Sequence, residues 1–257
     1  MYKVIATDLD GTLLQNGIRV LREDMVPLIR DYVRRGGIFL PASGRQHLNL
    51  QHLFSGIEDE ISYIAENGCL VFHEGELIYR SVMSREDGIA TTRAIMDIPG
   101  ARVAISGVEC TYILKGQDFY SHITNYVKNK AVELDSPEDM PEDFFKVSAY
   151  SKDGVELFDK KLKELFADHL TVVTSGNFWT DIMPQGVHKG TGLKALSEHT
   201  GIPLSEFVAL GDHYNDLEML SMVGHPACVD NAVPEIMAIS EKHMENGCDL
   251  LKYYLTA

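Results

Sequence analysis

Residues 3–12, KVIATDLDGT, decide the fold: an apolar run ends in two carboxylates, Asp8 and Asp10, one residue apart. The run predicts a buried strand, and Gly11 permits a sharp exit from it. In a strand that continued through both acids, the two side chains would face the same side. Two anions this close need a cation, because otherwise one takes up a proton or the pair repels. The stretch therefore indicates a metal-assisted nucleophilic site, and the plainer alternative is an acidic turn after an edge strand.

The bulk composition is typical of a soluble globular protein, with 257 residues, 45% of them hydrophobic and 24% charged. The formal net charge of -15 opposes sequence-independent binding to nucleic acid or to anionic lipid. No apolar run approaches the roughly 18 residues of a membrane span. The first residues, MYKV, lack the features of a signal peptide. These observations predict a cytoplasmic protein without nucleic-acid or membrane partners, in which an anionic substrate needs a local cationic pocket.

The four cysteines lie far apart in the sequence and form no Cys-x-x-Cys pair. This spacing indicates neither a zinc site nor a disulfide framework. Small buried core residues are the expected role of Cys69, Cys110, Cys228 and Cys248.

Strand and helix patterns alternate after the first stretch. Residues 21–35 have helical spacing, residues 38–40 predict a short buried strand, and a turn with Ser43 and Arg45 leads into another helix. A later buried strand at 207–210 ends in a second acidic turn. This alternation predicts a parallel α/β sheet, whose ligands collect beyond the carboxyl ends of its strands.

Residues 82–183 have a different texture, with strand and helix patterns of α+β type, and predict a second domain inserted into the first. The first domain is then built from residues 1–81 and 184–257. Within the insert, the polar stretch 135–143 predicts an exposed acidic loop. Strands are expected at 102–105, 110–114, 145–150, 170–174 and 178–183, with helices at 85–96, 120–127 and 155–166. In the first domain, further elements are expected at 62–65, in a hairpin at 69–80 and in helices at 193–199, 217–222, 233–239 and 250–255.

Four signals stand at predicted strand ends or helix starts of this sheet. They are Asp8-x-Asp10-Gly11-Thr12, Ser43, Lys189 and Gly211-Asp212-x-x-Asn215-Asp216. Any one of them has a structural alternative: a plain helix cap for Ser43, or a solvated lysine at a helix start for Lys189. Together, in this order, they closely resemble the motif set of the haloacid dehalogenase superfamily of phosphohydrolases, specifically its Cof-type branch. Residues 181–190, DIMPQGVHKG, are similar to the exit from that branch's cap. The resemblance implies a Rossmann-like parallel-sheet hydrolase core with an inserted α+β cap domain that selects the substrate.

The resemblance also implies a role for each acid of the first motif. Asp8 would be the nucleophile that forms an aspartyl-phosphate with a phosphomonoester. Asp10 would protonate the departing oxygen and then take a proton from the attacking water. Thr12 would orient Asp10 for this double task.

A magnesium ion is the implied cofactor, held by the carboxylates of Asp8 and Asp212 and by the backbone carbonyl of Asp10. Asp216 would not bind the ion directly. It would either orient a metal-bound water or pair with Lys189.

Phosphate recognition is the implied task of Ser43 and Lys189, helped by the backbone N–H groups of Leu9, Asp10 and Gly44. Asn215 matches a family position that contacts either the phosphate or a metal water, and the sequence leaves both open. Arg45, beside Ser43, is a candidate specificity contact. His213 departs from the residues common in the fourth motif, and a substrate contact and a surface histidine are both compatible with it.

The predicted function is a magnesium-dependent phosphatase for small phosphomonoesters, either sugar phosphates or phosphorylated cofactors such as pyridoxal phosphate or flavin mononucleotide. The alternatives are a phosphomutase that uses the same intermediate and a non-catalytic sugar-phosphate sensor. The expected partner is a small phosphorylated metabolite, and the expected state is a monomer or a weak homodimer. In the cap, Trp179 is expected to be a core residue, and the candidates for substrate contact are Glu109, Tyr112, Lys115 and Asn177.

Overall fold

The computed structural model describes residues 2–257. The chain divides into two compact units, one formed by the residues up to Arg80 together with His188–Ala257, the other by Ser81–Val187.

The first part of the first unit contains β1 (Val4–Thr7), α1 (Met25–Arg34), β2 (Ile38–Pro41), α2 (His47–Leu53), β3 (Tyr63–Ala65), β4 (Leu70–His73) and β5 (Glu76–Arg80). The second unit contains α3 (Arg85–Met96), β6 (Arg102–Ser106), β7 (Thr111–Leu114), a π-helix (His122–Val127), β8 (Ala131–Leu134), β9 (Lys146–Tyr150), α4 (Asp159–Phe166), β10 (Leu170–Ser175) and β11 (Trp179–Pro184). The chain then completes the first unit with α5 (Lys189–Thr200), β12 (Phe207–Gly211), α6 (Leu217–Met222), β13 (His225–Val229), α7 (Pro234–Ile239), β14 (Lys242–Met244) and α8 (Gly247–Thr256).

A parallel sheet in the order β14-β13-β12-β1-β2 is the centre of the first unit. Strand β1 lies between β12 and β2, and Val4, Ile5 and Ala6 are completely buried. Such unbroken burial is expected because helices cover both faces of a parallel sheet. Helices α5, α6 and α7 pack against one face in a single apolar cluster, and α8 packs against β1 and β12. The carboxyl ends of β1, β2 and β12 therefore meet at one edge, called the rim below.

The strand β3 continues this arrangement beyond β2. The N–H of Ser62 donates to the carbonyl of Phe39 at 3.0 Å, and the N–H of Ser43 donates to the carbonyl of Ile64 at 2.9 Å. From β3 the chain turns into the antiparallel hairpin of β4 and β5. The predicted hairpin is therefore observed. The hydrogen bond from Ser43 to Ile64 also ties the turn that follows β2 to strand β3.

The second unit is built on a six-stranded sheet in the order β10-β11-β9-β6-β7-β8, antiparallel except for the pair β7 and β8. Residues of α3 and α4 share one apolar cluster with Val103, Val147 and Ile182. Because side chains alternate along a strand, the neighbours Ser148 and Asp181 lie on the other face of the sheet.

The predicted fold class, an α/β protein with a Rossmann-like parallel sheet and an inserted α+β region, is confirmed. Several elements differ from the prediction. Strands β8, β13 and β14 were not predicted, the helix expected at 21–35 begins at Met25, and the helix expected at 155–166 begins as a single 3-10 turn before α4.

The stretch 135–143 is not simply an exposed acidic loop. Met140 is 2% exposed and belongs to the apolar cluster of the second unit. Glu142 accepts hydrogen bonds from the hydroxyl of Tyr112 and, at 2.7 Å, from the N–H of Val108. The burial of Met140 and the hydrogen bonds of Glu142 hold this acidic stretch against the second unit. The prediction of an exposed loop was therefore wrong in part.

Among residues 2–257, no helix is both long enough and apolar enough to cross a membrane.

Candidate active site

The two acidic turns meet at the rim because their strands are neighbours. Strand β1 pairs in parallel with β12, and the N–H of Asp8 donates to the carbonyl of Leu210 at 2.8 Å. As a result, Asp8, Asp212 and Asp216 each place a carboxylate oxygen within 4.8 Å of the others. Residues about two hundred positions apart thus form one acidic cluster.

Lys189 is the cation at the centre of this cluster. It is the first residue of α5, and its side chain is fully buried. The Nζ atom lies 2.5 Å from Oδ1 of Asp8 and 2.6 Å from Oδ1 of Asp216. Burial opposes the charge of the amine, yet the carboxylates of Asp216 and Asp8 raise the pKa of Lys189 above its usual value. The alternative of a solvated lysine at a helix start is therefore wrong.

Asp8 has one oxygen bound and one unoccupied. Lys189 binds Oδ1, whereas the buried Oδ2 has no hydrogen-bond partner within residues 2–257. Burial, reinforced by the neighbouring carboxylates of Asp216 and Asp212, raises the pKa of Asp8 well above its ordinary value, against the pull of Lys189. Burial likewise raises the pKa of Asp212. Three carboxylates and one amine leave an excess of negative charge, which a divalent cation would neutralise.

Thr12 contacts a different acid from the one expected. Its hydroxyl donates to Oδ1 of Asp212 at 2.8 Å, whereas it was expected to orient Asp10. Gly11 explains the difference, because it has φ +104 and a Cβ at this position would overlap the Asp212 carboxylate. The turn at Gly11 therefore brings the backbone of the first motif against the Asp212 carboxylate, and the hydroxyl of Thr12 holds that carboxylate in place.

Asp216 is completely buried and uses both of its carboxylate oxygens. Oδ1 accepts from Lys189, and Oδ2 accepts from the N–H groups of Asp212 at 3.0 Å and His213 at 3.2 Å. Of the two roles left open by the sequence, the contact with Lys189 is the one present. Asp216 holds both the lysine and the turn that presents Asp212.

Asp10 lies apart from the acidic cluster, with 58% of its side chain exposed. Arg45 binds it with two hydrogen bonds, from Nε to Oδ2 at 2.8 Å and from Nη2 to Oδ1 at 2.5 Å. A third nitrogen of the guanidinium, Nη1, donates to Asn49 at 3.3 Å. The arginine expected to contact substrate thus binds the acid of the first motif.

Ser43 follows β2 at the rim and is 2% exposed. Its Oγ accepts from the N–H of Arg45 at 3.2 Å, and its carbonyl accepts from the N–H of Asn67 at 2.9 Å. A side chain at Gly44 would come within 3.0 Å of Asn67, which favours glycine there. The side chain of Leu9 is buried, and Asn215 is half-buried. No hydrogen bond in the described part of the chain assigns Asn215 a role.

Of the candidate substrate contacts in the second unit, two contact carboxylates of the same unit and two are exposed. Tyr112 is buried in the unit's core and donates to Glu142, and Lys115 pairs with the exposed Asp135 at 2.8 Å. Glu109 and Asn177 are exposed. Trp179, expected in the core, is half-buried and packs against the apolar cluster that contains Phe119, with its ring 4.7 Å from that of Tyr150.

A buried polar cluster in the second unit was not predicted. Asp181 accepts from the hydroxyls of Ser148 at 2.6 Å and Ser175 at 2.8 Å, and Lys146 lies 3.6 Å from it. The signal in the sequence was the alternation in β9, where Lys146 and Ser148 alternate with apolar residues. Because a buried ion pair is costly, this cluster is a candidate for a role beyond stability.

Fold and rim together define an α/β protein whose candidate site combines acids from two strand ends with a lysine at a helix start. A family model for haloacid dehalogenase-like hydrolases matches residues 5–249. The chain belongs to this family. The predicted resemblance to its Cof-type phosphohydrolases is confirmed, and the protein is a phosphoric monoester hydrolase.

Two curated relatives are similar to nearly the whole chain. The 5-amino-6-(5-phospho-D-ribitylamino)uracil phosphatase YbjI of Escherichia coli is 32% identical over 248 residues, which cover 93% of this chain and 89% of the relative. The HMP-PP phosphatase of Klebsiella pneumoniae is 29% identical over 248 residues, which cover 93% of this chain and 88% of the relative.

Solved structures share the fold. A haloacid dehalogenase-like hydrolase from B. subtilis superposes with a TM-score of 0.85 at 21% identity, with 99% of each chain covered. A HAD subclass IIB sugar phosphatase superposes with a TM-score of 0.81 at 18% identity, covering 99% of this chain and 98% of the other.

Replacing the buried lysine should destabilise the first unit. Lys189→Met leaves the carboxylates of Asp8 and Asp216 without their cation, so we expect the free energy of unfolding to fall by about 3–5 kcal/mol. Lys194→Met is the matched control, because Lys194 lies on the same helix and makes an exposed ion pair with Glu198 at 3.8 Å. The control should cost less than about 1 kcal/mol. Urea unfolding followed by circular dichroism measures both, and equal stability of the two variants would contradict the structural importance of Lys189.

Proposed function

We propose that the protein is a magnesium-dependent phosphatase that hydrolyses small phosphomonoesters through an aspartyl-phosphate on Asp8. The observation that carries the proposal is the asymmetry of the Asp8 carboxylate. Lys189 binds one oxygen, and the other, although buried, has no hydrogen-bond partner within the described chain. An oxygen in this state is oriented for attack and is not stabilised by a competing donor.

The proposed reaction has two steps, and the acids at the rim divide the work. In the first, Oδ2 of Asp8 forms a bond to phosphorus while the bond to the ester oxygen breaks, and Asp10 gives its proton to the leaving alcohol. In the second, a water attacks the same phosphorus, Asp10 takes up its proton, and the bond to Asp8 breaks. Asp8 and Asp10 therefore end the cycle in their initial states.

The remaining rim residues hold the phosphoryl group. Ser43 offers a hydroxyl, and the backbone N–H groups of Leu9, Asp10 and Gly44 are the proposed donors to the phosphoryl oxygens. The Lys189 amine keeps Asp8 in one orientation and adds positive charge beside the reacting centre. Such positioned charge is the main contribution of a protein to phosphoryl transfer.

The acidic cluster fits a magnesium ion. Its donors are hard carboxylate oxygens, and its excess negative charge favours a divalent cation. The carboxylates of Asp8 and Asp212 and the backbone carbonyl of Asp10 would hold the ion, while Thr12 and Asp216 keep Asp212 in place. When bound, magnesium supplies positive charge that offsets the charge of the phosphoryl group.

The second unit, residues 82–183 in our prediction, is proposed to select the substrate. Its buried polar cluster of Lys146, Ser148 and Asp181 is the feature on which this proposed role is based. The names of the curated relatives, phosphatases for a phosphoribitylamino-uracil and for HMP-PP, support a small phosphorylated metabolite as the substrate class. Sugar phosphates and phosphorylated cofactors remain the two candidate groups.

Product analysis separates the alternatives. A phosphomutase would return isomerised phosphoester with little free phosphate, and a sensor would bind without turnover. The net charge of -15 is unfavourable for nucleic acid. The cytoplasmic location and the state of monomer or weak homodimer stay predictions from the sequence.

Phosphate release from a panel of metabolites in the presence of magnesium tests the main proposal. We expect turnover of some small phosphomonoesters by the intact protein, and a loss of at least about a thousandfold in kcat for Asp8→Asn. Turnover of no panel member, or full turnover by the Asp8 variant, would contradict the proposal.

Asp212 is proposed to bind the metal through its carboxylate and Asp10 through its backbone carbonyl, so replacing their side chains should affect metal binding differently. Asp212→Ala removes a proposed metal ligand, so magnesium affinity measured by titration calorimetry should fall about tenfold or more. Asp10→Asn keeps the backbone carbonyl and should change that affinity less than about threefold. Equal losses in both variants would overturn this assignment.

The proposed role of the second unit predicts a change in selectivity. Asp181→Asn should change the ratio of kcat/KM between two metabolites by roughly tenfold, because it alters a buried polar contact. The value for 4-nitrophenyl phosphate, which lacks the polar groups of a metabolite, should stay nearly constant. Asp135→Asn, which removes an exposed partner of Lys115, is the control. A uniform change across all substrates would count against a selective role for Asp181.

A further inference from the structure

The contact between Arg45 and Asp10 has the geometry of a clamp. Both carboxylate oxygens of Asp10 are bound by one planar guanidinium, at 2.8 Å and 2.5 Å. Two parallel hydrogen bonds fix the plane of a carboxylate as well as its position, which a single bond cannot do. Apart from Arg45, no side chain within residues 2–257 is seen to hydrogen-bond this carboxylate, although 58% of the Asp10 side chain is exposed.

Arg45 is itself anchored on both sides. Its backbone N–H donates to Oγ of Ser43, and its carbonyl accepts from the N–H of Glu66 at 3.1 Å. At the far end of the side chain, Nη1 donates to Asn49 on α2. The two backbone contacts fix where the side chain starts, and the contact with Asn49 restricts its far end, which lowers the entropic cost of holding Asp10.

We propose that Arg45 is a positioning residue that aims Asp10 at the leaving-group oxygen, rather than a substrate ligand. The inference rests on the proposed phosphatase reaction. A carboxylate has about four lone-pair sites, and the guanidinium occupies one on each oxygen. The remaining sites can still carry the proton that Asp10 gives to the departing oxygen and later takes from water. Arg45 keeps its own protons throughout, because its guanidinium stays charged.

A series of substituted phenyl phosphates tests this role, because its members have similar shapes and differ in the acidity of the leaving phenol. A poor leaving group depends on proton donation, whereas 4-nitrophenolate departs without it. For Arg45→Gln we therefore expect kcat/KM to fall roughly 10- to 100-fold with phenyl phosphate and less than about threefold with 4-nitrophenyl phosphate. Arg45→Lys keeps the charge but not the two-pronged contact, so its values should lie between those of Arg45→Gln and the unchanged protein.

A double-mutant cycle identifies the residue through which Arg45 acts. If its effect passes through Asp10, adding Arg45→Gln to Asp10→Asn should change kcat/KM for phenyl phosphate less than about twofold. The matched control is Arg30→Gln, which removes an arginine–carboxylate pair with Glu60 elsewhere in the same unit. This control should leave the whole series unchanged.

Equal losses across the series with a raised KM would identify Arg45 as a substrate ligand and overturn the inference, as would additive losses in the cycle. If Arg45→Gln does not fold, as judged by circular dichroism, the series with Arg45→Lys decides by the same criterion. No turnover of any ester by the unchanged protein would instead contradict the proposed function itself, so the two failures are distinguishable.

Discussion

The buried contact of Lys189 with Asp8 and Asp216 is the interaction on which the rest of the site depends. Ion pairs withdrawn from water are costly to assemble and more costly to break, because a lone buried charge has no solvent to stabilise it. Here one amine serves two carboxylates at 2.5 Å and 2.6 Å, while a third, Asp212, lies within 4.8 Å of both. This surplus negative charge is the feature that supports the proposed magnesium site at the rim.

The parallel sheet makes this contact possible. Strands β1 and β12 are neighbours in space, and Asp8 and Asp212 leave them at the same edge. Lys189 enters from the first residue of α5, which packs against the sheet through Leu193 and Leu196. The packing of the helix therefore sets the position of the amine. Packing of the apolar core thus keeps the mutually repelling carboxylates of Asp8, Asp212 and Asp216 close together.

Much of this could be predicted from the sequence, because strand ends and helix starts carry local signals. Residues 3–12 identified the rim, and the order of the four motifs indicated which segments meet there. The contacts between side chains were less predictable. Thr12 bonds Asp212 instead of Asp10 because of the turn at Gly11, and Arg45 binds Asp10 because two separate turns come together. Such contacts depend on backbone conformation that a residue pattern does not specify. The short strands β13 and β14 were not predicted, because His225-Pro226 and Lys242-His243 lack the alternating apolar pattern of a strand.

Covalent phosphorylation of Asp8 is the step that distinguishes the proposed reaction from direct attack of water on the phosphate ester. The most direct measurement is to mix enzyme with a substrate that it turns over, stop the reaction with acid within milliseconds, and map the phosphorylated peptide by mass spectrometry. We expect phosphate on Asp8 alone, formed before free phosphate accumulates and absent in Asp8→Asn. Turnover without any phosphorylated residue, or phosphate on a different side chain, would contradict it.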